Sequence, residues 1–249
     1  MLSFMKKKAG RITVRPLIQI ALFLASLLVF IFISSKVIIG GLQQFDVMAF
    51  QQLEVITNPG LTKFMVFITF FGSHEFLLAA YTALIIYYLI KKNKKLSIYI
   101  TFIGLSSTAL LFLLKYLFQR TRPFDPLLYS VSGFSYPSGH SFSGFCFFSI
   151  IIYVIWQTRM NKPIKWIFSV LLFLIAFTIA ISRIYLHVHY ASDILAGFSL
   201  SIILLTPAYW LFQPADKSWL MPENQKYLTS IKFQIFYVLK WLIENKSTQ

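Results

Sequence analysis

The stretch SRIYLHVHYASD, from Ser182 to Asp193, carries one arginine, two histidines and one aspartate between two long apolar runs. Ionisable side chains at the edge of a lipid-embedded helix are costly to keep there, so they indicate a functional site. His189 and Asp193 are four residues apart, so on a helix the carboxylate would lie on the same face as the imidazole and could hold one ring nitrogen. His187 is six residues from Asp193 and is the poorer partner. The spacing therefore favours His189 as a nucleophile or general base.

The composition places the chain among membrane proteins. Hydrophobic residues make up 57% of the 249 residues and charged residues only 12%, whereas soluble domains carry about 25% charged residues. The formal net charge of +15 would suit a nucleic-acid partner, but the basic residues lie in short clusters between apolar stretches. Membrane topology explains such clusters better, so no nucleic-acid partner is expected. The single cysteine, Cys146, excludes an intrachain disulfide and is expected to be a small buried hydrophobe.

Six apolar stretches are long enough to cross about 30 Å of hydrocarbon. We therefore predict an all-α polytopic membrane protein with six transmembrane helices in a bundle. The first stretch is longer than the core of an ordinary signal peptide and no Ala-x-Ala-like site follows it, so we expect it to stay uncleaved. Five of the six stretches are residues 17–35, 96–114, 141–156, 166–181 and 194–212. The remaining one, the second span, ends near Ile90; the short apolar run 61–71 and an interruption at 72–75 precede it.

Two segments outside the spans have an amphipathic pattern. The stretch FDVMAFQQLEVI, residues 45–56, is predicted to form a short helix that is capped by Asp46, is ended by Asn58, Pro59 and Gly60, and lies flat on the membrane surface. After the transmembrane domain of residues 1–213, residues 214–249 are predicted to be a cytoplasmic tail with an amphipathic helix, because the apolar residues fall on one helical face. The lysines of this tail suit anionic lipid. A seventh span is the weaker alternative because two lysines interrupt the run.

The distribution of basic residues predicts the orientation of the bundle. The N-terminal segment, the loops after spans two and four, and the tail contain five, four, three and five Lys and Arg residues, which is 17 of the 23 in the chain. Cytoplasmic loops are enriched in these residues, so we predict that all four segments, and with them both termini, are cytoplasmic. We expect a multi-pass protein of a bacterial plasma membrane. The other six basic residues are Lys36, Lys63, Lys115, Arg120, Arg122 and Arg183.

Three polar islands interrupt the apolar sequence. They are KYLFQRTRP from Lys115 to Pro123, YPSGH from Tyr136 to His140, and the stretch Ser182–Asp193. The predicted topology places the end of span three, the start of span four and the junction of spans five and six on the extracytoplasmic face. The sequence therefore predicts that the three islands meet there in one polar site.

The side chains of these islands suit the binding of a phosphate group. Lys115, Arg122 and Arg183 supply three cations, and each arginine can hold two oxygens with its planar fork. Span four begins near Ser138 and Gly139. Their backbone N–H groups and the positive end of the helix dipole are expected to form an anion site.

Two histidines and one carboxylate supply the groups that phosphate transfer needs. His189, held by Asp193, is the candidate nucleophile, and His140 is the candidate acid that protonates the leaving oxygen. Phosphoryl transfer depends mainly on charge stabilisation and alignment, which the three cations can provide. We therefore expect no metal and no cofactor.

In these motifs the sequence resembles the type 2 phosphatidic acid phosphatase superfamily, whose three-part signature is K-x6-RP, PSGH and SR-x5-H-x3-D. The resemblance implies a phosphohistidine intermediate on His189, protonation of the leaving group by His140 and orientation of His189 by Asp193. It also implies independence of metals and a six-helix core. The matched positions are Lys115, Arg122 and Pro123, then Pro137 to His140, then Ser182, Arg183, His189 and Asp193. The phosphate-binding residues that it implies are Lys115, Arg122, Ser138, Gly139 and Arg183.

Other polar and aromatic residues near the islands have simpler interpretations. Lys36, Lys63 and Arg120 are interpreted as anchors whose charged ends reach the membrane surface. His187 is expected to be a neighbour of the site without a catalytic role. The three tyrosines of the second and third islands are interpreted as interface aromatics; they are Tyr136, Tyr185 and Tyr190.

The sequence thus predicts an integral-membrane lipid phosphate phosphatase that acts at the outer face of the plasma membrane. The resemblance suggests phosphatidylglycerophosphate, phosphatidic acid or a polyprenyl diphosphate as the substrate. A dedicated undecaprenyl diphosphatase is the nearest alternative, and a lipid or anion transporter is the alternative outside enzymes. Haloperoxidase chemistry is disfavoured because the enzymes of that kind are soluble. The expected partners are the lipid substrate and the bilayer, and no protein partner can be inferred.

Overall fold

The computed structural model describes residues 14–127 and 131–212. All regular secondary structure in these two ranges is helical, which confirms the all-α prediction for this part of the chain. The helices are α1 (Val14–Ile38), α2 (Gln43–Glu54), α3 (Pro59–Phe70), α4 (His74–Ile90), α5 (Lys94–Phe118), α6 (Gly139–Gln157), α7 (Lys162–Tyr185) and α8 (Ala191–Phe212).

Five of these helices are long and apolar enough to cross a membrane, namely α1, α5, α6, α7 and α8. Helices α3 and α4 pass the same test together, although they are bent by 41° at a short break, so the number of spans rises to six when the pair counts as one. This agrees with the six predicted spans. The cytoplasmic position of both termini stays a prediction, and the tail helix within 214–249 lies outside the described residues.

The break between α3 and α4 falls at the predicted interruption and brings three helices close together. Ser73 caps α4 by accepting a hydrogen bond from the N–H of Phe76 at 3.2 Å. A Cβ atom at Gly72 would lie 2.6 Å from Ile179 of α7 and 2.9 Å from His140 of α6. Glycine fits here because a Cβ atom would force the side chains of Ile179 and His140 to move.

The spanning helices α5 to α8 continue beyond their predicted ends into the polar islands. Lys115 lies in the last turn of α5 and Arg183 in the last turn of α7. Gly139 and His140 begin α6, and Asp193 lies in the first turn of α8. Helix ends thus fix these five motif residues, whereas Arg122 and His189 lie in the adjoining loops.

A close approach between α8 and the start of α6 joins two of the islands. A Cβ atom at Gly197 would lie 3.0 Å from the carbonyl oxygen of Ser138 and 3.0 Å from Ser141. One turn earlier, the N–H of Ser138 donates to the carbonyl of Asp193 at 3.2 Å. The absence of a side chain at Gly197 therefore lets the PSGH segment lie directly against the helix that carries Asp193.

The prediction for the segment after α1 is wrong in one respect. Helix α2 begins at Gln43, and its N-cap residue is Leu42, whose side chain makes no capping hydrogen bond. Asp46 lies in the first turn of α2 and is only 1% exposed. A carboxylate that is buried in this way needs partners in the rest of the fold, and α2 packs against α7.

The interpretation of the island tyrosines as interface aromatics is wrong for Tyr136 and Tyr185, which are buried. The hydroxyl of Tyr136 lies 2.7 Å from the hydroxyl of Ser34 and so connects the PSGH segment to α1. The hydroxyl of Tyr185 lies 2.9 Å from Thr62 and so connects α7 to α3. A buried hydroxyl needs a hydrogen-bond partner, and these two tyrosines find theirs on other helices.

Candidate active site

The ring of His189 is buried where the loop after α7 meets α8, and it is engaged on both sides. Its Nδ1 atom lies 3.3 Å from Oδ2 of Asp193, and its Nε2 atom lies 3.3 Å from a guanidinium nitrogen of Arg122. The expected pairing with Asp193 is present, but its geometry differs from the helical register that suggested it. His189 precedes α8, so the pair spans the start of the helix.

The carboxylate of Asp193 is fully buried and accepts hydrogen bonds at both oxygens. Oδ1 accepts from Nη1 of Arg120 at 2.6 Å. Oδ2 accepts from the hydroxyl of Ser135 at 2.7 Å and from the N–H of Tyr190 at 3.0 Å. The last bond resembles one half of a capping box, in which the third residue of a helix bonds back to the N-cap N–H. One side chain thus both contacts the ring of His189 and caps the start of α8.

Arg120 is not the surface anchor that its position in the sequence suggested. Its Nη2 atom forms a salt bridge with Asp46 at 2.7 Å, while Nη1 forms one with Asp193 at 2.6 Å. The guanidinium also lies over the ring of Tyr190, 4.0 Å from its centre. Burial opposes the charge of Arg120, but Asp193 and Asp46 together raise its pKa. The snorkelling interpretation is therefore wrong, because the arginine turns inward to two carboxylates.

Asp46 completes this arrangement from α2. Its Oδ1 accepts from the N–H of Ser192 at 2.9 Å, and its Oδ2 accepts from the hydroxyl of Ser192 at 2.8 Å. It therefore satisfies a donor in the first turn of α8, where a negative charge is favourable. We call the following five residues the carboxylate cluster: Asp46, Arg120, Ser135, Ser192 and Asp193.

This cluster was not predicted, although the sequence contains a signal for it. An aspartate in an amphipathic helix, together with an arginine that the signature does not use, could have suggested a buried pair. The sequence does not show that Asp46 and Arg120 are neighbours in space, because they are 74 residues apart along the chain.

The other arginine of the same loop, Arg122, faces the opposite side of His189. It donates to the carbonyl oxygens of Gly133 at 2.9 Å, Val188 at 2.7 Å and Ser132 at 3.2 Å. Burial lowers its pKa from the usual value, with Asp193 opposing. The carbonyl contacts hold the guanidinium in place without neutralising it, so its positive charge remains available to an anion beside Nε2.

Lys115 and Arg183 bring two more cations to the same region. Lys115 donates to the carbonyl of Phe134 and interacts electrostatically with Arg122 and Arg183. Arg183 is only 3% exposed and donates to the hydroxyl of Thr69 at 2.8 Å. Its Nε atom is buried and has no hydrogen-bond partner among the described residues. We call Lys115, Arg122 and Arg183 the cation cluster.

The start of α6 supplies the remaining predicted residues. Ser138 is the N-cap, and its hydroxyl oxygen accepts from the N–H of Ser141 at 3.4 Å. Because the N–H of Ser138 is bonded to Asp193, that donor is engaged in this structure. A Cβ atom on Gly139 would lie 2.9 Å from Leu111, so glycine allows α6 to begin directly against α5. His140 follows beside Gly72 and interacts electrostatically with Arg183 and His189.

His187 is separated from this chemistry. Its ring lies against Phe50 of α2, with the ring centres 4.9 Å apart. It lines a cavity of about 540 Å³ together with Lys36 and Arg120. The two histidines of the loop therefore face different surroundings, and only His189 contacts both Asp193 and Arg122.

The surroundings of His189 favour a neutral ring that can act as a nucleophile. Burial lowers its pKa to about 3, Arg183 and Arg122 act in the same direction, and Asp193 opposes them. The hydrogen on Nδ1 can bond to Asp193, which leaves the lone pair on Nε2. Nε2 points to the cation cluster, so an anion held there would lie in front of the nucleophilic atom.

Comparison with known proteins gives consistent matches. The profile of the PAP2 superfamily matches residues 95–217, which include all three islands. Phosphatidylglycerophosphatase B of Bacillus subtilis (strain 168) is 29% identical over 180 residues, covering 71% of this chain and 88% of that protein. Dolichyldiphosphatase of Saccharomyces cerevisiae is 43% identical over 75 residues, covering 29% of this chain and 31% of that protein.

Two crystal structures share the fold. A transmembrane PAP2-type phosphatidylglycerolphosphate phosphatase from Bacillus subtilis superimposes with a TM-score of 0.68 at 27% identity, covering 78% of this chain and 98% of that one. LpxE from Aquifex aeolicus superimposes with a TM-score of 0.53 at 25% identity, covering 66% of this chain and 94% of that one.

Proposed function

This chain belongs to the PAP2 superfamily, and from that premise we propose that it is a lipid phosphatase that transfers the phosphate of a lipid head group to His189 and then to water. Membership in a family of membrane phosphatases supports lipid phosphate hydrolysis as the reaction class. The observation that carries the mechanism is the position of His189, with Nδ1 on Asp193 and Nε2 beside Arg122.

In the first step Nε2 of neutral His189 attacks phosphorus, and the bond from phosphorus to the lipid oxygen breaks. His140 gives a proton to that oxygen, so the lipid leaves as a neutral alcohol or a less charged phosphate. The ring of His189 becomes positively charged, and Asp193 stabilises that charge through the Nδ1 hydrogen. The product of this step is a phosphohistidine on His189.

In the second step a water molecule attacks the same phosphorus and the bond to Nε2 breaks. His140 accepts the proton of the water, as the reverse of its role in the first step requires. Lys115, Arg122 and Arg183 hold the charged oxygens in both steps, together with the backbone N–H of Gly139 at the N-terminus of α6. The N–H of the predicted phosphate-binding residue Ser138 is bonded to Asp193 instead. We propose that the three side-chain cations stabilise the transferred phosphate without a metal ion or other cofactor.

We propose phosphatidylglycerophosphate, phosphatidic acid and a polyprenyl diphosphate as the candidate substrates. Similarity to phosphatidylglycerophosphatase B over most of the chain supports the first. The match to dolichyldiphosphatase supports the alternative of a dedicated undecaprenyl diphosphatase. In all three lipids the phosphate lies at the membrane surface, where a site formed by helix ends can reach it. We propose the extracytoplasmic face of the plasma membrane as the location.

A panel of lipids tests this proposal. Purified full-length protein in detergent micelles with a chelator is given each of the three lipids, and released phosphate is measured. We expect release from at least one lipid and loss of that release in His189→Asn. Lack of release from every lipid by folded wild-type protein would overturn the proposal. A transporter would instead move labelled lipid or phosphate across vesicles in both the wild type and His189→Asn.

A further inference from the structure

Four residues of the carboxylate cluster lie outside the three-part signature, and two of them, Asp46 and Arg120, carry charge. Arg120 contacts Asp193, the residue that orients the proposed nucleophile. Asp46 contacts Arg120 from a helix that lies 74 residues earlier in the chain. Within the described residues, neither residue forms a hydrogen bond or salt bridge with His189 or with the cation cluster. The shortest route by which they can influence the reaction therefore passes through Asp193.

The guanidinium of Arg120 is held in one orientation. Asp46 binds it at 2.7 Å, Asp193 binds it at 2.6 Å, and the ring of Tyr190 covers one face at 4.0 Å. Its Nη1 atom also donates to the hydroxyl of Ser192 at 2.7 Å. An arginine fork with charge-assisted bonds on both nitrogens is a rigid support.

This support determines which oxygen of Asp193 is offered to His189. Arg120 occupies Oδ1, while Oδ2 faces Nδ1 of His189 and is steadied by Ser135. Rotation of the carboxylate would break the bond to Arg120 and the bond to Ser135 together. The orientation of His189 therefore depends on contacts that lie one layer behind it.

We propose that Arg120 and Asp46 are positioning residues for the phosphatase reaction, with Arg120 fixing the Asp193 carboxylate so that Oδ2 holds the Nδ1 hydrogen of His189, and Asp46 fixing Arg120. This inference rests on the proposed function for its kinetic consequences. Its geometric part, the state of the His189 ring, can be measured without turnover.

The charge balance gives the proposal a distinctive consequence. Asp46 and Asp193 are both buried and share one cation. Without Arg120, two like charges would face each other in a buried site, which favours protonation or rotation of one carboxylate. Removing Asp46 as well relieves that repulsion, so the double variant is expected to be better than Arg120→Gln alone. The other titratable or charged side chains around the cluster are Lys36, Lys115, Arg122, Tyr136, His187, His189 and Tyr190.

The kinetic test compares Arg120→Gln, Asp46→Asn and their combination in micelles, on whichever of the three candidate lipids the wild type hydrolyses fastest. For Arg120→Gln we expect kcat to fall about 10- to 100-fold, in the range found for residues that support a catalytic group from behind, while KM changes less than about threefold. The double variant is expected to recover at least about threefold of the lost kcat, a non-additive result that a shared contact predicts. Glu54→Gln, an exposed carboxylate on the same helix as Asp46, is the matched control and keeps wild-type kcat.

The spectroscopic test follows the ring of His189 directly. The chain has only four histidines, so ¹⁵N-histidine labelling of the full-length protein in micelles gives a simple spectrum, and His189→Asn identifies the signal. We expect the Nδ1–H tautomer in the wild type and in Glu54→Gln. In Arg120→Gln the population shifts toward Nε2–H, because Nδ1 loses its oriented acceptor.

Three results would overturn the proposal. The first is a kcat of Arg120→Gln within threefold of wild type, the second is a loss expressed in KM alone, and the third is an unchanged tautomer in that variant. If Arg120→Gln does not fold, Arg120→Lys is tested in its place, because lysine keeps the charge but lacks the planar fork. We expect its kcat to be about tenfold lower than that of the wild type. An Arg120→Lys variant with wild-type kcat would contradict the proposal. If the wild type itself releases no phosphate, the proposed function fails, while the tautomer measurement still tests the positioning.

Discussion

Two clusters meet at His189, and they differ in how their polar groups are satisfied. In the carboxylate cluster, every carboxylate oxygen of Asp46 and Asp193 accepts a hydrogen bond at 3.0 Å or less. In the cation cluster, Lys115 and Arg122 donate to backbone carbonyls, and Arg183 keeps a buried Nε atom without a partner. Within the described part of the chain, none of these three cations forms a salt bridge with a carboxylate.

The difference indicates two tasks. A satisfied cluster of buried charges fixes geometry before any substrate arrives, because every rearrangement would break several bonds. A cluster of cations that is held only by neutral groups keeps its positive charge for an incoming anion, and a phosphate would satisfy it. Changes in the carboxylate cluster should therefore lower kcat, whereas changes in the cation cluster should weaken the binding of phosphate and its mimics.

The largest effect is expected at the residue where the two clusters meet. His189→Asn removes the proposed nucleophile and should lower kcat by at least about a thousandfold, measured as phosphate release in micelles. His187→Asn, two residues away in the same loop, is the matched control. Asparagine tolerates the positive φ of 53° at that position, so this variant should keep its activity. Equal losses in both variants would show that the loop as a whole, and not one ring, matters.

The next effect concerns the carboxylate that joins the clusters. Asp193→Asn keeps the shape but replaces the charged acceptor by an amide, so the ring of His189 loses its preferred tautomer. We expect kcat to fall about 100- to 10,000-fold, as when the carboxylate of a His–Asp pair is changed in hydrolases, while orthovanadate inhibits with nearly the wild-type constant. A large loss of vanadate affinity would place Asp193 in phosphate binding instead.

Arg183→Lys tests the cation cluster. Lysine keeps the charge but cannot hold two oxygens with a planar fork, and Arg183 is buried where its position is fixed. We expect the inhibition constant for orthovanadate to rise by about tenfold or more, with KM rising in parallel. Arg159→Lys, an exposed arginine in the loop between α6 and α7, is the control. Unchanged vanadate inhibition in Arg183→Lys would separate this arginine from the phosphate.

A smaller effect is expected at Thr69, which holds Arg183 through one hydrogen bond of 2.8 Å. Thr69→Val keeps the shape and leaves a buried guanidinium nitrogen without its partner, so vanadate binding should weaken about three- to tenfold. Thr69→Ser restores the hydroxyl and should restore the affinity. Failure of serine to rescue would mean that valine acts through packing.

The smallest expected change follows from the pKa of His189, which burial lowers to about 3. A lowered pKa means that the ring binds a proton only in strongly acidic solution, so its ¹⁵N signals should remain those of a neutral ring as the pH falls from 8 to 5. In the unfolded chain the ring takes up a proton near pH 6.5, so this group makes folding less favourable as the pH falls below that value. A titration of His189 near pH 6.5 in the folded protein would contradict this.

Much of the fold could be predicted because each membrane span is a continuous apolar run that can be recognised from the local sequence. The apolar runs identified the long helices, and the interruption at residues 72–75 marked the break before α4. The helix ends were placed too short, because the motif residues at these ends are polar. They remain helical because the neighbouring helices supply partners, as Thr69 does for Arg183.

The signature residues could be named from the sequence because their spacing is specific, and the structure brings Lys115, Arg122, Arg183, His189 and Asp193 together. The role of Arg120 could not be read in the same way. It lies two residues before Arg122 and has the same chemistry, and only the position of α2 decides that it turns toward Asp46. The burial of Tyr136 and Tyr185 likewise depends on contacts with α1 and α3, respectively, and hydropathy does not predict such contacts.

Trapping of the enzyme-bound phosphate tests the central claim most directly. Wild-type protein is mixed with ³²P-labelled lipid phosphate, quenched in alkali within milliseconds and digested, and the labelled peptide is identified. We predict a label that is stable in alkali, labile in acid, located on His189 and lost in His189→Asn, with much slower formation in Asp193→Asn. A wild-type enzyme that releases phosphate while carrying its label on another residue, or while carrying none, would contradict the mechanism.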